Sequence, residues 1–185
     1  MTNTEEIYSI FKKNPVISTD SRKIEKNCIF FALKGDNFNG NKFAATALEK
    51  GAFCAIIDEE EYVVSDKTIL VENVLDTLKD LANLHRRELG IPILAITGTN
   101  GKTTTKELVS AVLGQKFNVC FTQGNLNNHI GVPLTLLKMN SDTEFGVVEM
   151  GANHPGEIAE LCNIAEPDFG IITNIGKAHL EGFGS

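Results

Sequence analysis

The chain lacks any apolar run long enough to cross a membrane and lacks the features of an exported protein. No stretch approaches the roughly 20 consecutive apolar residues that a bilayer-spanning helix needs. The N-terminal sequence MTNTEEIYSIFKKN does not have the basic segment followed by an apolar segment that is typical of a secretory signal. We therefore expect a cytoplasmic protein without membrane insertion.

Paired cysteines, sequence repeats and an excess of basic residues are also absent. Four cysteines stand far apart in apolar stretches without a C-x-x-C pair, which disfavours a disulfide framework or a zinc site and predicts buried thiols. They are Cys28, Cys54, Cys120 and Cys162. The formal net charge of -7 disfavours nucleic acid as a partner, so an anionic substrate must be held by backbone amides and a few local cations. We expect the protein to be a monomer.

Residues 91–106, IPILAITGTNGKTTTK, contain the most informative motif of the chain. An apolar run leads through small residues into a helix-compatible stretch, and such a turn directs unpaired backbone N–H groups and the positive end of the helix dipole at one point. This predicts an ATP site in which Lys102 lies between the outer phosphates and the Thr103 hydroxyl binds Mg²⁺. The expected nucleotide-binding residues are Thr97, Gly98, Thr99, Asn100, Gly101, Lys102, Thr103 and Thr104.

The motif is a shortened form of the usual phosphate loop. The usual pattern G-x-x-x-x-G-K-[ST] has a glycine five residues before Gly101, where this chain has Ile96. The alternative interpretation is a simple turn with an exposed lysine.

Alternating strand and helix patterns predict an α/β protein with mostly parallel sheets. We expect a small N-terminal domain over residues 1–85, a linker helix over about 74–90, and the first part of a phosphate-loop domain over residues 91–185. In the first part the patterns predict helices at Glu5–Lys12 and Phe43–Lys50, strands at Val16–Thr19, Cys28–Leu33, Phe53–Ile57 and Thr68–Val71, and turns at Gly35-Asp36 and Asn39-Gly40. In the second part they predict strands at 93–97, 118–122, 145–149 and 169–173, and helices at 103–113, 133–138 and 156–164. With only about four strands, the second domain looks unfinished, and we expect a truncated chain.

Several polar residues are expected at the carboxyl edges of these strands, where α/β sheets bind ligands. Glu149 ends a buried strand and is a candidate Mg²⁺ ligand, although an edge carboxylate can also be a helix cap or a solvated residue. His179 follows the last strand and could contact a second metal or the γ-phosphate; alone it would be a surface residue. Asn125 and Asn128 lie on an amide-rich loop that favours substrate contact, although such a loop is usually only a turn.

In the first domain, a strand is followed by Thr19-Asp20-Ser21-Arg22. A hydroxyl, a carboxylate and a guanidinium in this order can hold a hydroxylated or phosphorylated ligand, and Ser21 and Arg22 are the candidate substrate-binding residues.

Together these segments resemble the Mur ligases of bacterial cell-wall synthesis. The resemblance is carried by Asp20-Ser21-Arg22, Phe30 to Gly35, Gly51-Ala52, Thr97 to Thr104, GNLNNHIGVPLTLL from Gly124 to Leu137, Glu149 to Asn153, and Thr173 to Ser185. The string from Gly124 to Leu137 points to the dipeptide-adding member of the family.

The resemblance implies a ligase that uses ATP and Mg²⁺. ATP would phosphorylate the terminal carboxylate of a UDP-N-acetylmuramoyl-tripeptide, and the amine of D-alanyl-D-alanine would attack the acyl phosphate. It also implies roles for individual residues. Lys102 and Thr103 would handle phosphates and Mg²⁺, and Lys102, Glu149 and His179 would be catalytic. Glu149 and His179 would bind metal ions, and Ser21 and Arg22 would bind the UDP end.

Two departures from the family pattern limit these implications. The chain has Asn39-Gly40-Asn41 where the family often has Asp-Gly-His. A modified lysine, the adenine contacts and the domain that binds the incoming amine would lie beyond Ser185, so this chain alone is expected to be inactive. The alternatives are another amide ligase of the superfamily, such as the third-residue-adding or folylpolyglutamate synthase-like enzymes, and a nucleotide-binding module without catalysis.

Overall fold

The computed structural model describes residues 3–176, and the chain divides into two compact units, Met1–Leu81 and Ala82–Ser185. Each unit contains its own four-stranded sheet, and every strand pair in these two sheets is parallel. The α/β class predicted from the sequence is therefore confirmed. The division falls within one helix, four residues before the predicted domain end at residue 85.

The first unit begins with helix α1, Thr4–Lys13, which Asn3 and Glu6 start with a capping box. The strands of its sheet are β1 at Ile17–Ser18, β2 at Ile29–Phe31, β5 at Cys54–Ile57 and β6 at Thr68–Leu70, and β3 and β4 form a separate hairpin at Lys34–Gly35 and Phe38–Asn39. The order of the strands in the sheet is β1-β2-β5-β6. Helix α2, Ala44–Glu49, packs against β5, and apolar side chains from β2, β5 and α2 form a buried core.

A short hairpin differs from the predicted pair of separate turns. Strand β3, Lys34–Gly35, pairs antiparallel with β4, Phe38–Asn39, and a 3₁₀ turn follows at Gly40–Phe43. Gly40 is required here because a Cβ atom would lie 2.4 Å from the Leu33 carbonyl oxygen. The two predicted turns, Gly35-Asp36 and Asn39-Gly40, therefore belong to one hairpin. The end of this hairpin packs closely against the backbone of Leu33.

Helix α3 spans Val74–Leu89, within one residue of the linker helix predicted over about 74–90. The side-chain oxygen of Asn73 accepts the Asp76 N–H at 2.9 Å and caps the helix start. Gly90 follows the helix with φ 61°, which is the left-handed conformation that commonly ends helices.

The sheet of the second unit has the order β10-β7-β9-β8. The strands are β7 at Ile93–Thr97, β8 at Val119–Phe121, β9 at Phe145–Glu149 and β10 at Phe169–Ile172. They are connected by α4 at Lys102–Leu113, α5 at Gly131–Leu136 and α6 at Glu157–Ala165. Because Ile96 on β7 pairs with Glu149 on β9, the loops after these central strands emerge side by side.

The cysteines only partly follow the prediction of buried thiols. Cys28 and Cys54 are buried, whereas Cys120 and Cys162 are half-buried, and all four are free. Burial raises the pKa of the Cys54 thiol to about 12, so it stays protonated at neutral pH. Within residues 3–176, none of the helices has the length and apolar character of a membrane span.

Candidate functional site

The loop between β7 and α4 is a compact turn held by residues that follow β10. Gly98 has φ 135°, and a Cβ atom there would lie 2.2 Å from the Thr173 hydroxyl oxygen, so only glycine fits. The Thr99 N–H donates to the Asn174 carbonyl at 3.0 Å, and the Thr173 hydroxyl donates to the Asn100 carbonyl at 2.6 Å. The sequence motif did not identify this support from Thr173 and Asn174.

Helix α4 starts directly after this loop, and no side chain among the described residues caps its first N–H groups. Gly101 adopts the left-handed conformation at φ 78°, and Thr103 and Thr104 are exposed in the first turn. An uncapped start of a long helix offers N–H donors and a positive dipole end to an anion. The turn therefore has the backbone features of a phosphate site.

The Lys102 side chain lies across the loop. Its Nζ donates to the Gly98 carbonyl at 2.7 Å and to the Thr99 carbonyl at 3.3 Å, and the residue is half-buried. Because both acceptors are neutral carbonyl groups, they do not neutralise the positive charge of the ammonium group. The third N–H of the ammonium group remains for an anion. The alternative interpretation, a turn with an exposed lysine, does not describe this arrangement.

Glu149 lies at the end of β9 with 2% of its surface exposed. Its N–H donates to the Thr122 hydroxyl at 2.9 Å, and its Oε1 accepts the Asn127 side-chain amide at 2.9 Å. Its other oxygen, Oε2, is buried and has no hydrogen-bond partner among residues 3–176. A buried carboxylate oxygen without a donor is costly unless a cation or another donor joins it, so this atom fits a Mg²⁺ ligand.

The amide-rich loop between β8 and α5 gives different roles to its asparagines. The Asn128 side-chain oxygen accepts the Ile130 and Gly131 N–H groups at 3.1 and 2.9 Å, so it starts α5. Gly131 packs on the loop so closely that a Cβ atom would lie 2.3 Å from the Leu126 backbone. Asn125 is exposed, and Asn127, which the sequence did not single out, contacts Glu149.

A cavity of about 320 Å³ lies in the second unit and brings three of the predicted residues together, Lys102, Asn125 and Asn128. Its other lining residues are Asn127, His129, Gly151, Ala152, Asn153, Glu157, Glu160 and Leu161. Thr103 and Glu149 are not among the lining residues. His179 lies outside the described residues.

Glu157 is a lining residue that the sequence analysis missed. Its Oε2 accepts the Asn153 N–H at 2.6 Å and the His154 N–H at 3.2 Å. The hydrogen bond from the Asn153 backbone, followed by that from His154, lowers the pKa of Glu157 and keeps it ionised. The signal was present, because an acidic residue shortly after Pro-Gly is typical of a helix start.

Lys106 is a second missed residue. It lies one turn after Lys102 on α4 and is almost fully buried, with Nζ donating to the Thr122 carbonyl at 2.7 Å. Glu107 forms an ion pair with it at 3.0 Å, and the Phe121 ring lies 5.6 Å from its Nζ. The i, i+4 spacing from Lys102 could have indicated a shared helix face, but not its burial.

Within the described part of the chain, no group of three or more His, Cys, Asp or Glu side chains could hold a metal ion. Among the predicted metal ligands, the described residues include Glu149, with its buried Oε2, and Thr103, which is exposed at the start of α4. This donor set fits a Mg²⁺ that takes its remaining ligands from phosphate oxygens and water, which is the usual arrangement at nucleotide sites.

In the first unit, Arg22 and Asp20 form a two-point ion pair. Arg22 Nε and Nη2 each lie 2.9 Å from a carboxylate oxygen of Asp20, and the Arg22 side chain is 86% exposed. The hydrogen bond from the guanidinium lowers the pKa of Asp20 to about 2. Ser21 is buried, and its carbonyl accepts Lys50 Nζ at 2.8 Å. The guanidinium thus reaches solvent, whereas Ser21 is largely enclosed.

Comparison with known families gives two adjacent matches that together cover most of the chain. Residues 15–96 match the Mur ligase family, catalytic domain, and residues 96–185 match the Mur ligase middle domain. Among curated proteins, the UDP-N-acetylmuramoyl-tripeptide--D-alanyl-D-alanine ligase of Bacillus subtilis (strain 168) is 43% identical over 175 residues, which are 91% of this chain and 37% of the relative. The ligase of the same name from Escherichia coli (strain K12) is 39% identical over 169 residues, with coverage of 91% and 37%.

Solved structures agree with these matches. A crystal structure of MurF from Acinetobacter baumannii has a TM-score of 0.85 at 37% identity, covering 91% of this chain and 37% of that one. MurF from Thermotoga maritima, solved in complex with ADP, has a TM-score of 0.82 at 38% identity, with coverage of 90% and 39%. The chain thus spans a little over a third of the length of the relatives it matches.

Proposed function

The chain belongs to the Mur ligase family, and we propose that it carries the substrate domain and part of the ATP-binding domain of a ligase that adds D-alanyl-D-alanine to UDP-N-acetylmuramoyl-tripeptide. The names of the curated relatives at 43% and 39% identity support this substrate pair. The reaction would supply a precursor for peptidoglycan. The domains would correspond to residues 1–85 and 91–185.

The observation that carries the proposal is that one sheet edge has both a helix start without a side-chain cap and a buried carboxylate oxygen without a partner, as judged from residues 3–176. The backbone of Thr97 to Thr104 and the Lys102 ammonium would bind the phosphates of ATP. Glu149 Oε2 and the Thr103 hydroxyl would hold Mg²⁺, which when bound supplies positive charge to the phosphate oxygens. The Thermotoga maritima relative was solved in complex with ADP, which supports nucleotide binding as part of the proposal.

The chemistry requires two anions, ATP and a carboxylate, to approach each other. A substrate carboxylate oxygen would attack the γ-phosphorus and ADP would leave, giving an acyl phosphate. The amine of D-alanyl-D-alanine would then attack the carbonyl carbon, with loss of phosphate and a proton. Lys102 would neutralise charge that develops on the transferred phosphoryl group, and Asn125 and Asn128 on the cavity wall would bind the substrate.

The first unit would bind the UDP-linked substrate. Ser21 and Arg22 would hold its UDP end, because the exposed guanidinium keeps N–H donors that Asp20 does not occupy. The predicted metal role of His179, the cytoplasmic location and the monomeric state stay predictions.

The proposal is tested with the full-length gene product, ATP, Mg²⁺, UDP-N-acetylmuramoyl-tripeptide and D-alanyl-D-alanine. We expect an amide product and equimolar phosphate only when all components are present. Replacing D-alanyl-D-alanine by single amino acids, or the tripeptide substrate by the dipeptide form, separates this ligase from one that adds the third residue. Product formation with those replacements, or none with the complete mixture, would refute the proposal.

A further inference from the structure

We propose that Asn127 is a positioning residue that sets the orientation of the Glu149 carboxylate toward the nucleotide-bound cation. This inference rests on the proposed function, since it concerns the ATP-binding edge of the second unit. It assigns a role to a side chain that lines the cavity beside Lys102.

The backbone of Glu149 is already fixed by its neighbours. Its N–H donates to the Thr122 hydroxyl at 2.9 Å, and the Thr122 carbonyl accepts Lys106 Nζ at 2.7 Å. Thr122 and Lys106 are both buried, with 0% and 1% of their surface exposed. The strand end therefore cannot shift easily, and rotation about the side-chain bonds of Glu149 is the remaining freedom.

Asn127 restricts that rotation. Its side-chain amide donates to Glu149 Oε1 at 2.9 Å, and Oε2 is left buried with no partner in the described part of the chain. Loss of the amide would leave two buried oxygens without donors, and the carboxylate would then rotate toward other donors or water. The single bond from Asn127 thus selects which oxygen remains for a cation.

Asn127 is itself held in place by the loop after β9. The Gly151 N–H donates to the Asn127 carbonyl at 2.8 Å, and the Asn127 N–H donates to the Asn125 carbonyl at 2.8 Å. A Cβ atom at Gly151 would lie 3.1 Å from the Asn127 amide group, so a larger residue would press on this side chain. Groups that orient a metal ligand in this way are typically worth about 10–100-fold in metal affinity.

The test measures Mn²⁺ affinity by the loss of its free electron paramagnetic resonance signal, in the full-length protein saturated with ADP. Asn127→Leu keeps a similar volume but removes the donor, and we expect Mn²⁺ to bind about 10-fold or more weakly. The affinity for ADP without metal should stay within about twofold. Gln115→Leu, which removes an exposed amide two residues after α4, is the matched control and should leave both affinities unchanged.

Asn127→Ala is measured in parallel because it adds no volume against Gly151, and the proposal requires the same loss of Mn²⁺ affinity. If either variant folds and binds Mn²⁺ as the unaltered protein does, Asn127 does not position Glu149. An equal loss of metal-free ADP affinity would indicate general damage to the loop and would also overturn the proposal. Failure of the unaltered protein to bind Mn²⁺ and ADP together would instead refute the proposed function.

Discussion

Asp58 in the first unit directly follows β5, and Glu149 in the second unit ends β9; both are acidic residues at the carboxyl end of an interior parallel strand. Asp58 has 4% of its side chain exposed and receives hydrogen bonds from the Asn41 amide, the Val74 N–H and Lys34. Glu149 is as deeply buried, but from the described residues its carboxylate receives one side-chain hydrogen bond, and its other oxygen has no partner there. The first carboxylate is satisfied by its own unit, whereas the second is not.

The lysines of the two regions differ in the same way. Lys34 lies 3.0 Å from Asp58 and 3.3 Å from Glu59, so its charge is neutralised within the unit. Lys102 donates to two neutral carbonyls of its own loop. We call the paired charges and hydrogen bonds around Asp58 the closed network, because its charged groups are matched within the fold. We call Lys102 and Glu149 the open region, because their charges are left for a ligand. This contrast distinguishes a strand end that stabilises the fold from one that binds a ligand.

The largest expected effect is a loss of ligation activity when Lys102 of the second unit is replaced. Lys102→Ala in the full-length protein should lower kcat for ligation by about 10²–10³-fold or more, because the cation at the transferred phosphoryl group is removed. Thermal unfolding should remain within a few degrees, since the lost hydrogen bonds are to loop carbonyls. Lys116→Ala, at an exposed position, is the control, and near-normal phosphate release by Lys102→Ala would contradict the role.

Glu149→Gln should separate activity from stability. The variant keeps the side-chain shape but loses the negative charge, so activity should fall about 100-fold while the free energy of unfolding changes by less than about 1 kcal/mol. Steady-state assays and urea unfolding of the same preparations measure the two quantities. A large loss of stability with activity retained would show that Glu149 is structural, as Asp58 is.

Asp58→Ala should show the opposite pattern. It removes the acceptor shared by Asn41, Val74 and Lys34 and leaves the first two donors buried, which should lower the free energy of unfolding by about 2–4 kcal/mol. Urea unfolding compared with Asp66→Ala, an exposed aspartate, measures the effect. If Asp58→Ala is as stable as its control, the closed network does not hold the unit together.

The positions at which the strands begin and end were largely predictable from the sequence, because apolar runs and turn residues determine local structure. The predicted bounds of α3, β7 and β9 match the structure, and so does the proximity of the phosphate loop to Glu149. The hydrogen bonds around Asp58 were not predictable from the sequence. The segment Asn39-Gly40-Asn41 is typical of an exposed loop, but Asn41 is fully buried and hydrogen-bonded to Asp58. Lys106 and Asn127 were missed for a similar reason, since their partners Thr122 and Glu149 are distant in sequence and are brought close only by the fold.

The stability that the hydrogen bonds to Asp58 contribute should also depend on pH. Burial alone would raise the pKa of Asp58, but the hydrogen bonds from Asn41, Lys34 and Val74 outweigh it and lower the pKa below the ordinary value. The folded-state pKa is therefore below the unfolded value of about 3.9, so this contribution to stability is complete above that pH and is lost as pH falls through the folded-state pKa. The difference in unfolding free energy between the unaltered protein and Asp58→Asn should narrow below about pH 4. A difference that stays constant from pH 7 to pH 3 would refute this.

The smallest effect on stability is expected for Arg22→Ala, which removes an exposed ion pair. Arg22 and Asp20 are hydrogen-bonded at two points, but the guanidinium is 86% exposed, and water replaces its bonds when it is lost. The unfolding midpoint should not change measurably. The affinity for UDP-N-acetylmuramoyl-tripeptide, measured by titration calorimetry, should fall about tenfold if the arginine holds the UDP end. Lys23→Ala, one position along the same exposed turn, is the control for a general loss of positive charge. If Arg22→Ala binds the UDP-linked substrate with unchanged affinity, the ion pair of Asp20 and Arg22 serves only the structure of the turn, as the charges around Asp58 serve the structure of the first unit.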